Sequence, residues 1–461
     1  MPFDPSNTDT IAAISTPLGV AGIGIVRISG PDAKAILRKI FKPKKPIAAF
    51  QSHRLYLGCL HDPETGGAVD EVLLSFMAAP RSYTREDVVE INTHSGYLLL
   101  SRILEIVVKL GARLAEPGEF TFRAFMHGRI DLSQAEAMMD LIHAQSEKGL
   151  RLAANHMKGS LRIEVERLRQ RGLDFLARTE VLIDYPDEDP SALPDADEID
   201  ANLIKPLQEL IAAHGQSKIW IQGIGTAIVG RVNAGKSSLL NRLLNEERAL
   251  VSAIPGTTRD VVESTLYIQG LPLRLMDTAG FRRGKGTLEK KGMERTRRKM
   301  EEAELILLII DRSRPLNEID RDILTEVRKR PALVVLNKID LPSKIDREDL
   351  NEALAGLPLA GISALTGDGI EGLRRAIRTL VLSDEKPFPD HLMAPNVRQT
   401  QALEKAYRHF ARAAQNLEQE MPLEMVAADM NEALAAFGEI GGETTPEDVL
   451  DRIFSRFCLG K

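Results

Sequence analysis

The sequence is poor in cysteine and aromatic residues and contains no long apolar run. Two cysteines in 461 residues, Cys59 and Cys458, cannot build a disulfide framework, so we expect a reducing cytoplasm. The longest strictly aliphatic run, residues 305–310, is six residues long, whereas a membrane helix needs about 20 apolar residues. Residues 1–10 have neither a basic region nor an apolar core, and we expect no signal peptide and no membrane association.

Neither positive nor negative charge dominates the chain. Sixty Lys and Arg against 66 Asp and Glu leave a net charge of −6, so nucleic-acid binding would need a local basic patch. Hydrophobic residues make up 43% and charged residues 27% of the sequence, which excludes wholesale disorder. The nine histidines show no zinc-ligand spacing. At about 150 residues per domain, the length predicts about three domains.

Apolar patterns divide the chain into regions of different character. Residues near the start mix short strand-like runs, such as 23–28 and 72–76, with a helix-like stretch at 98–110. From residue 131 the apolar residues recur at three- and four-residue steps, which predicts helices. Strand-like and helix-like runs then alternate, which is typical of a parallel sheet with crossover helices. Helical spacing returns near the end, where Thr445 and Pro446 predict an N-cap and a first helical residue. One domain is therefore predicted to be inserted into another.

Residues 230–237, GRVNAGKS, fit the phosphate-loop pattern GxxxxGK[ST] and follow the apolar run TAIV. Glycines allow such a loop to turn its backbone N–H groups toward phosphate oxygens at a helix N-terminus. Lys236 is predicted to reach the β- and γ-phosphates, and the Ser237 hydroxyl to bind magnesium.

Further motifs follow in the order that a GTP site requires. Asp277 can hold magnesium and Gly280 can face the γ-phosphate. The carboxylate of Asp340, in the sequence NKID, can accept the two N–H groups of guanine, and a backbone N–H at Ser363 or Ala364 can meet the guanine oxygen. The predicted GTP-binding residues are Asn233, Ala234, Gly235, Lys236, Ser237, Ser238, Ser252, Ala253, Ile254, Pro255, Gly256, Thr257, Thr258, Asp277, Thr278, Ala279, Gly280, Asn337, Lys338, Asp340, Ser363, Ala364 and Leu365.

The segment after Gly280 bears on catalysis. Phe281 stands where Ras-like proteins carry the glutamine that orients water, so either hydrolysis is slow or another group acts, with Glu289 and Glu294 as candidates. From sequence alone, a glutamate at either position is more often a surface acid. Residues 282–299 contain nine basic and two acidic residues, which fits either a solvated helix face or a cationic segment that meets RNA, a partner or a second copy.

The residues outside the GTP motifs are less informative. Spacing alone favours surface charges or ion pairs for Arg27, Glu90 and Arg129. Residues 458–461, CLGK, superficially match a prenylation box, but Gly460 and Lys461 do not fit one, so we expect no lipidation. Cys458 is either a buried filler or a reactive thiol.

Four groups of motifs follow one another over nearly the full length: DTIAAISTPLGVAGIGIVRISGPDA, PGEFTFRAFMHGRIDLSQAEA, GRVNAGKSSLLN with PGTTRD, and CLGK. In these motifs and their order the sequence resembles the MnmE family, also called TrmE, of tRNA-modification GTPases. It implies a multidomain α/β protein, in which a P-loop, Ras-like GTPase domain is inserted into an all-α domain that follows an α+β tetrahydrofolate-binding domain. The expected segments are a folate-binding and dimerisation domain at 1–128, helices at 129–217, the GTPase domain at 218–388 and helices at 389–461.

The resemblance also implies activity and partners. Family members form homodimers and work with the flavoprotein MnmG (GidA), which carries FAD. Together they add a carboxymethylaminomethyl-type group to the wobble uridine of certain tRNAs, and GTP hydrolysis drives the modification. The implied cofactors are Mg²⁺, K⁺ and a tetrahydrofolate derivative, either 5-formyl- or methylene-tetrahydrofolate.

The resemblance assigns roles to residues at matching positions. The magnesium ligands are Ser237 and Thr258, and the potassium ligands are Asn233, Ser252, Ile254 and Thr257. The folate site comprises Arg27, Glu90, Arg129 and Lys461, with Arg129 in place of a lysine that some members carry. Glu289 matches the catalytic glutamate, Arg282 a neighbouring switch residue, and Cys458 a family cysteine whose role stays open.

Two other functions compete with this one. A GTPase switch that acts in ribosome assembly, like the Era and Der relatives, usually carries a dedicated RNA-binding domain such as a KH domain, and no such domain is visible in the flanking regions. A folate one-carbon enzyme with a regulatory GTPase attached is the third possibility.

Overall fold

The structure is a computed structural model that describes residues 9–185, 195–246, 264–276, 300–382, 393 and 395–460. Within these residues the chain forms two β-sheets and a set of packed helices. The two sheets lie in different parts of the sequence, and helices both separate them and follow the second one. No helix in these ranges combines the length and the apolar character that crossing a bilayer requires.

The first sheet has seven strands in the order β3-β4-β5-β6-β2-β1-β7. Its strands are β1 (Ile11–Ile14), β2 (Gly24–Ser29), β3 (Phe41–Pro43), β4 (Arg54–His61), β5 (Ala68–Met77), β6 (Val88–Thr93) and β7 (Arg113–Leu114). All neighbours pair antiparallel except β1 and β7. The helices α1 (Ala33–Ile40) and α2 (Tyr97–Lys109) add their apolar residues to the core on one face of this sheet. The predicted strands 23–28 and 72–76 and the predicted helix 98–110 are confirmed, with ends shifted by up to four residues.

The register of this sheet brings two predicted site residues side by side. Arg27 on β2 pairs with Glu90 on β6. Because side chains alternate between the two faces of a strand, and the neighbouring Val26, Ile28, Val89 and Ile91 are buried, Arg27 and Glu90 lie on the outer face.

The second sheet has six strands in the order β13-β12-β11-β8-β10-β9. Its strands are β8 (Ile224–Val229), β9 (Ser264–Ile268), β10 (Leu271–Leu275), β11 (Leu305–Asp311), β12 (Ala332–Asn337) and β13 (Leu359–Gly361). All neighbours are parallel except β9 and β10. Its described helices are α9 (Lys236–Glu246), α10 (Glu318–Val327), α11 (Arg347–Leu354) and α12 (Ile370–Val381). Separate apolar cores cover the two faces, so the predicted parallel sheet with crossover helices is confirmed.

The remaining helices draw on two distant parts of the sequence. They are α3 (Glu119–Met126), α4 (Leu132–His143), α5 (Glu147–Met157), α6 (Ser160–Asp184), α7 (Ala196–Ile199), a π-helical turn (Asp200–Ile204), α8 (Lys205–Gln222), α13 (Val397–Glu418), α14 (Leu423–Gly441) and α15 (Glu447–Phe454). One core joins apolar residues of α6 and α8 to those of α13 and α14. The second sheet is therefore inserted into a helical domain. Helix α8 runs through positions 217 and 218, where the sequence analysis sets a domain boundary.

The predicted cap of the last helix is wrong. Helix α15 begins at Glu447 with Pro446 as its N-cap, and no side chain caps it. The Thr445 hydroxyl instead donates to the carbonyl oxygen of Glu439 on α14, at 3.0 Å. That hydrogen bond satisfies the hydroxyl and fixes the loop between the two helices.

Candidate functional site

The phosphate loop connects the end of β8 to the first residue of α9. Three of its residues have positive φ angles: Gly230 (+140°), Asn233 (+65°) and Gly235 (+99°). A Cβ atom on Gly230 would lie 2.2 Å from the carbonyl oxygen of Ile309, and one on Gly235 would lie 2.0 Å from Asn337 Nδ2. Both positions therefore require glycine, for backbone conformation and for space. The resulting turn ends at the N-terminus of α9, where unpaired N–H groups favour anions.

Two basic side chains of the loop point in different directions. The ammonium group of Lys236 donates to the carbonyl oxygens of Gly230, at 2.7 Å, and Arg231, at 2.6 Å, so it folds over the loop where phosphate oxygens would bind. The Arg231 guanidinium donates to Asp320 on α10 at 3.2 Å. Lys236 thus lies over the phosphate loop, whereas Arg231 fastens the loop to a neighbouring helix.

Asn337 joins three of the predicted GTP-binding segments. Its Nδ2 donates to the carbonyl oxygen of Ala234 at 2.9 Å, and its Oδ1 accepts from the backbone N–H groups of Ala364 at 3.0 Å and Lys338 at 2.8 Å. The side chain is only 2% exposed, so these bonds are formed away from water. The Ala364 N–H, which the sequence analysis offers to the guanine oxygen, is used by Asn337 in this arrangement.

The guanine side of the site rests on an ion pair that the sequence analysis missed. Lys338, with a φ of +67°, donates to Asp311 Oδ2 at 2.6 Å. Partial burial raises the pKa of Asp311, but hydrogen bonds from Lys338 and Ser313 outweigh burial and hold that pKa below its ordinary value. Asp311 ends the aliphatic strand β11, and an acid at the carboxyl end of a parallel strand was the signal that could have revealed it.

The neighbouring loop is held from a helix as well. Arg242 on α9 donates to the carbonyl oxygen of Ala364 at 3.3 Å and also to that of Leu365. Ala364 is thus fixed at its N–H by Asn337 and at its carbonyl by Arg242. Asp340 is exposed on the same side of the sheet, where its carboxylate is accessible to a nucleobase.

The predicted folate residues also come together, on the first sheet. Arg27 forms an ion pair with Glu90 at 2.8 Å, and its Nη1 donates to the carbonyl oxygen of Gly460 at 2.8 Å. The Ser15 hydroxyl donates to the same carbonyl at 3.2 Å. Gly460 has a φ of +84°, and a Cβ there would lie 2.6 Å from the Cα of Ser15. The residue before Lys461 is therefore seated against Arg27.

Tyr83 completes this cluster and was missed from the sequence. The Arg129 and Arg27 guanidinium groups lie 5.0 and 5.8 Å from the centroid of its ring. Burial raises the pKa of Tyr83 above its ordinary value, although the Thr121 hydrogen bond and the two arginines act in the opposite direction. The ring is an aromatic face flanked by two cations. No periodicity marks Tyr83, which lies in the irregular segment between β5 and β6.

Several residues with predicted roles lie in parts of the chain that the structure does not describe. Residues 252–258, the DTAG motif at 277–280, Phe281, Arg282, Glu289, Glu294, the basic run 282–299 and Lys461 lie outside the described residues. Their roles as GTP, magnesium, potassium, catalytic and folate residues stay predictions. Cys458 is exposed, so the buried-filler interpretation is wrong, and the reactive thiol stays a prediction.

Comparison with known proteins agrees with this arrangement. A family model described as GTP-binding protein TrmE N-terminus matches residues 10–129, and one described as MnmE helical domain matches residues 132–458. The tRNA modification GTPase MnmE of Alkaliphilus oremlandii is 44% identical over 98% of this chain and 99% of its own length. That of Bacillus subtilis is 43% identical over 98% and 100%. The G domain of the FeoB iron transporter from T. maritima is 27% identical over 34% of this chain and 96% of that chain, with a TM-score of 0.25, which is too low to carry an argument.

The fold and the site define a P-loop GTPase domain inserted into an all-α domain that follows an α+β domain. The chain belongs to the MnmE family of tRNA modification GTPases. By that membership it is an enzyme, a GTPase of tRNA modification.

Proposed function

We propose that this protein hydrolyses GTP to drive the addition of a carboxymethylaminomethyl-type group to the wobble uridine of certain tRNAs. In this proposal it acts in the cytoplasm as a homodimer, with the FAD-carrying flavoprotein MnmG as its partner. Residues 1–128 form the folate-binding and dimerisation domain. Residues 218–388 form the GTPase domain, between helical segments 129–217 and 389–461.

The observation that carries the proposal is the position of Asn337. Its side chain holds the phosphate loop through Ala234 and the guanine loop through Ala364. A nucleotide bound there would contact both loops, with its phosphates near Lys236 and its base near Asp340. A carboxylate can accept the N1 and N2 hydrogens of guanine, whereas adenine does not offer both, so this arrangement supports GTP as the substrate.

The hydrolysis chemistry follows from the same loop. Magnesium would be held by the Ser237 hydroxyl at the start of α9 and by Thr258, and it would neutralise charge on the β- and γ-phosphates. Arg231 is engaged by Asp320, which argues against its use as a cationic finger in the same chain. A potassium ion held by Asn233, Ser252, Ile254 and Thr257 would supply that charge. Glu289, with Arg282 beside it, would orient the attacking water in place of Phe281.

The outer face of the first sheet supports folate binding. A folate derivative offers carboxylates, a planar ring and paired N–H groups. Arginine forks match carboxylates, and Glu90 matches the N–H pair. The Tyr83 ring offers a stacking surface between Arg27 and Arg129. Gly460, which precedes Lys461 in the sequence, accepts a hydrogen bond from Arg27 at the same place.

The same face supports a homodimer. The adjacent strands β4 and β5 carry three exposed leucines: Leu55 (66%), Leu57 (42%) and Leu73 (45%). The register places Leu57 opposite Leu73, so they form one apolar patch. A contiguous exposed patch of this kind marks an association surface, and a second copy of the domain would cover it.

The function is tested by mass spectrometry of tRNA nucleosides from a deletion strain. We expect the wobble-uridine modification to be lost, to return with the wild-type chain, and to stay absent with Lys236→Ala. Asp368→Asn, a charge change in the neighbouring loop, is the control and should restore it. Intact modification together with a ribosome-subunit defect in the deletion strain would favour the ribosome-assembly switch instead.

Potassium activation needs its own measurement. GTP turnover is compared in matched potassium and sodium chloride, for the wild type and Asn233→Ala. We expect faster turnover in potassium for the wild type, because an arginine finger or its substitute contributes about 10³–10⁵ in rate. Asn233→Ala should lose this response. Equal rates in both salts refute the potassium assignment and leave GTP binding untouched.

A further inference from the structure

The first turn of α5 and the residues just before it hold the last turn of α8. The Ser146 hydroxyl donates to the carbonyl oxygen of Trp220 at 2.7 Å, and it also accepts the N–H of Gly149 at 2.9 Å as the cap of α5. A Cβ on Gly149 would lie 2.3 Å from the same Trp220 oxygen. The Lys148 ammonium lies 4.1 Å from the centroid of the Trp220 ring. We call residues 145–149 with Trp220 the clamp.

The clamp also contacts the GTPase sheet. The Tyr267 hydroxyl on β9 donates to Gln145 Oε1 at 3.5 Å. On the other side of the junction, the carboxylate of Glu304 accepts the Gly225 N–H at 2.9 Å and the Lys218 ammonium at 2.7 Å. Helix α8 of the helical domain is therefore bound at its end both by α5 and by the GTPase domain.

Rigid elements lead from the clamp to both candidate sites. In one direction, β8 begins two residues after Gln222 and ends at the phosphate loop, so its six residues span about 20 Å. In the other direction, α4 has 12 residues and spans about 18 Å. It starts three residues after Arg129 and ends next to the clamp. Gln134 on α4 donates to the carbonyl oxygen of Met157 at 2.9 Å and ties the far end of α4 to the end of α5.

We propose that the clamp couples the phosphate loop to the folate site, through β8 on one side and the α4–α5 pair on the other. A shift of the phosphate loop on nucleotide binding moves β8 and the end of α8. Because Gly149 is in direct contact with the Trp220 carbonyl, α5 has to follow. The inference rests on the proposed folate site and adds the route by which it communicates with GTP.

Coupling of this kind is reciprocal and can be measured at equilibrium. The affinity for a non-hydrolysable GTP analogue is determined with and without saturating 5-formyl-tetrahydrofolate. We expect the folate to change that affinity about five-fold or more in the wild type, the lower end of typical coupling between sites. In Gly149→Ala the factor should fall to about one, while each ligand alone keeps its affinity within about two-fold.

Gly372→Ala is the matched control. Gly372 is the third residue of α12, as Gly149 is of α5, but a Cβ there would meet nothing within 4 Å. It should keep the wild-type coupling. Trp220 is the sole tryptophan of the chain and only 3% exposed, so its fluorescence reports whether Gly149→Ala has opened the clamp.

The outcomes separate this inference from the proposed function. Two results overturn the clamp. One is a Gly149→Ala protein whose Trp220 emission has shifted but whose coupling factor equals that of the wild type. The other is a wild-type protein that binds both ligands without any coupling.

If the wild type does not bind 5-formyl-tetrahydrofolate, the folate proposal fails. The clamp is then tested by Trp220 emission alone. We expect the GTP analogue to change this emission in the wild type but not in Gly149→Ala. If the emission of the wild type does not change, the clamp is overturned. Should Gly149→Ala not fold, Ser146→Ala replaces it, with coupling reduced at least two-fold, and unchanged coupling refutes the clamp.

Discussion

The phosphate loop and the proposed N-terminal folate site differ in how the chain builds them. The phosphate loop is one continuous segment whose shape is dictated by glycines and by the strand and helix at its ends. The N-terminal site joins Arg27, Glu90, Arg129 and Gly460, and the hydrogen bond from Arg27 to Gly460 links residues 433 positions apart. A site within one continuous segment can be predicted from the spacing of its residues. A site built from residues far apart in the sequence forms only after the domains have packed.

The two sites also hold their charges differently. Lys236 donates to the backbone carbonyl oxygens of Gly230 and Arg231, which belong to the phosphate loop itself. Arg27 is already paired with Glu90 and with the Gly460 carbonyl. The phosphate loop therefore depends on backbone shape, and the proposed folate site on a network of side chains.

Gly235→Ala tests whether shape controls the first site, and it has the largest expected effect. The added Cβ would collide with Asn337 Nδ2, and φ would stay at +99°, so we expect GTP to lose at least about 2 kcal/mol of binding free energy, roughly 30-fold. Affinity for a fluorescent GTP analogue is the measurement.

Gly356→Ala is its control. Gly356 has a φ of +88° and open space around a Cβ, so it shares the backbone strain without the collision. We expect a small loss of stability and unchanged GTP affinity. Similar affinity losses in both variants would mean that strain in the domain, and not the contact with Asn337, decides nucleotide binding.

Arg27→Ala tests the network in the second site. It removes the ion pair with Glu90 and the hydrogen bond to Gly460, so we expect 5-formyl-tetrahydrofolate to lose about 1.5–3 kcal/mol of binding free energy, roughly 10- to 150-fold. Calorimetry measures it. Arg102→Ala, which breaks an ion pair with the buried carboxylate of Asp62 on the same domain, should leave binding unchanged. Unaltered affinity in Arg27→Ala would remove Arg27 from the site.

The same contrast explains how far the sequence reaches. The phosphate loop, Asn337 and the parallel sheet follow from motif spacing and strand periodicity, because each depends on local backbone geometry. Arg27, Glu90 and Arg129 looked like ordinary surface charges from spacing alone, and only the family resemblance assigned them together. Tyr83 and Arg242 were missed, because their importance comes from tertiary contacts that no local pattern encodes. Asp311 was missed although its place at the carboxyl end of a parallel strand was a usable signal.

The domain insertion lies between these extremes. Helical spacing on both sides of the α/β region predicted it, since amphipathic helices need a shared core. The expected boundary between residues 217 and 218 falls inside α8, because the sequence carries no stop signal at residue 217 and the helix continues to Gln222. The glycine that ends the helix, Gly223, marks the true end.

The smallest predicted effect concerns Asp140 on α4, the helix between the two sites. It tests whether a buried charge lowers the stability of this connecting helix. Burial, together with Glu136 one helical turn away, raises the pKa of Asp140 to about 6. An unfolded aspartate titrates near 4, so between pH 4 and 6 the folded chain binds more protons than the unfolded one, and stability falls as pH rises. Above pH 6 the folded protein carries the full cost of the buried charge.

Asp140→Asn removes that charge and should raise the free energy of unfolding by about 1–2 kcal/mol at pH 8, after allowance for the partial exposure of the carboxyl, and by little at pH 4. Denaturant unfolding at both pH values measures this, and Asp174→Asn, an exposed acid on α6, should show no difference. A gain that is equal at pH 4 and pH 8 would show that side-chain packing, and not charge, limits the stability of α4.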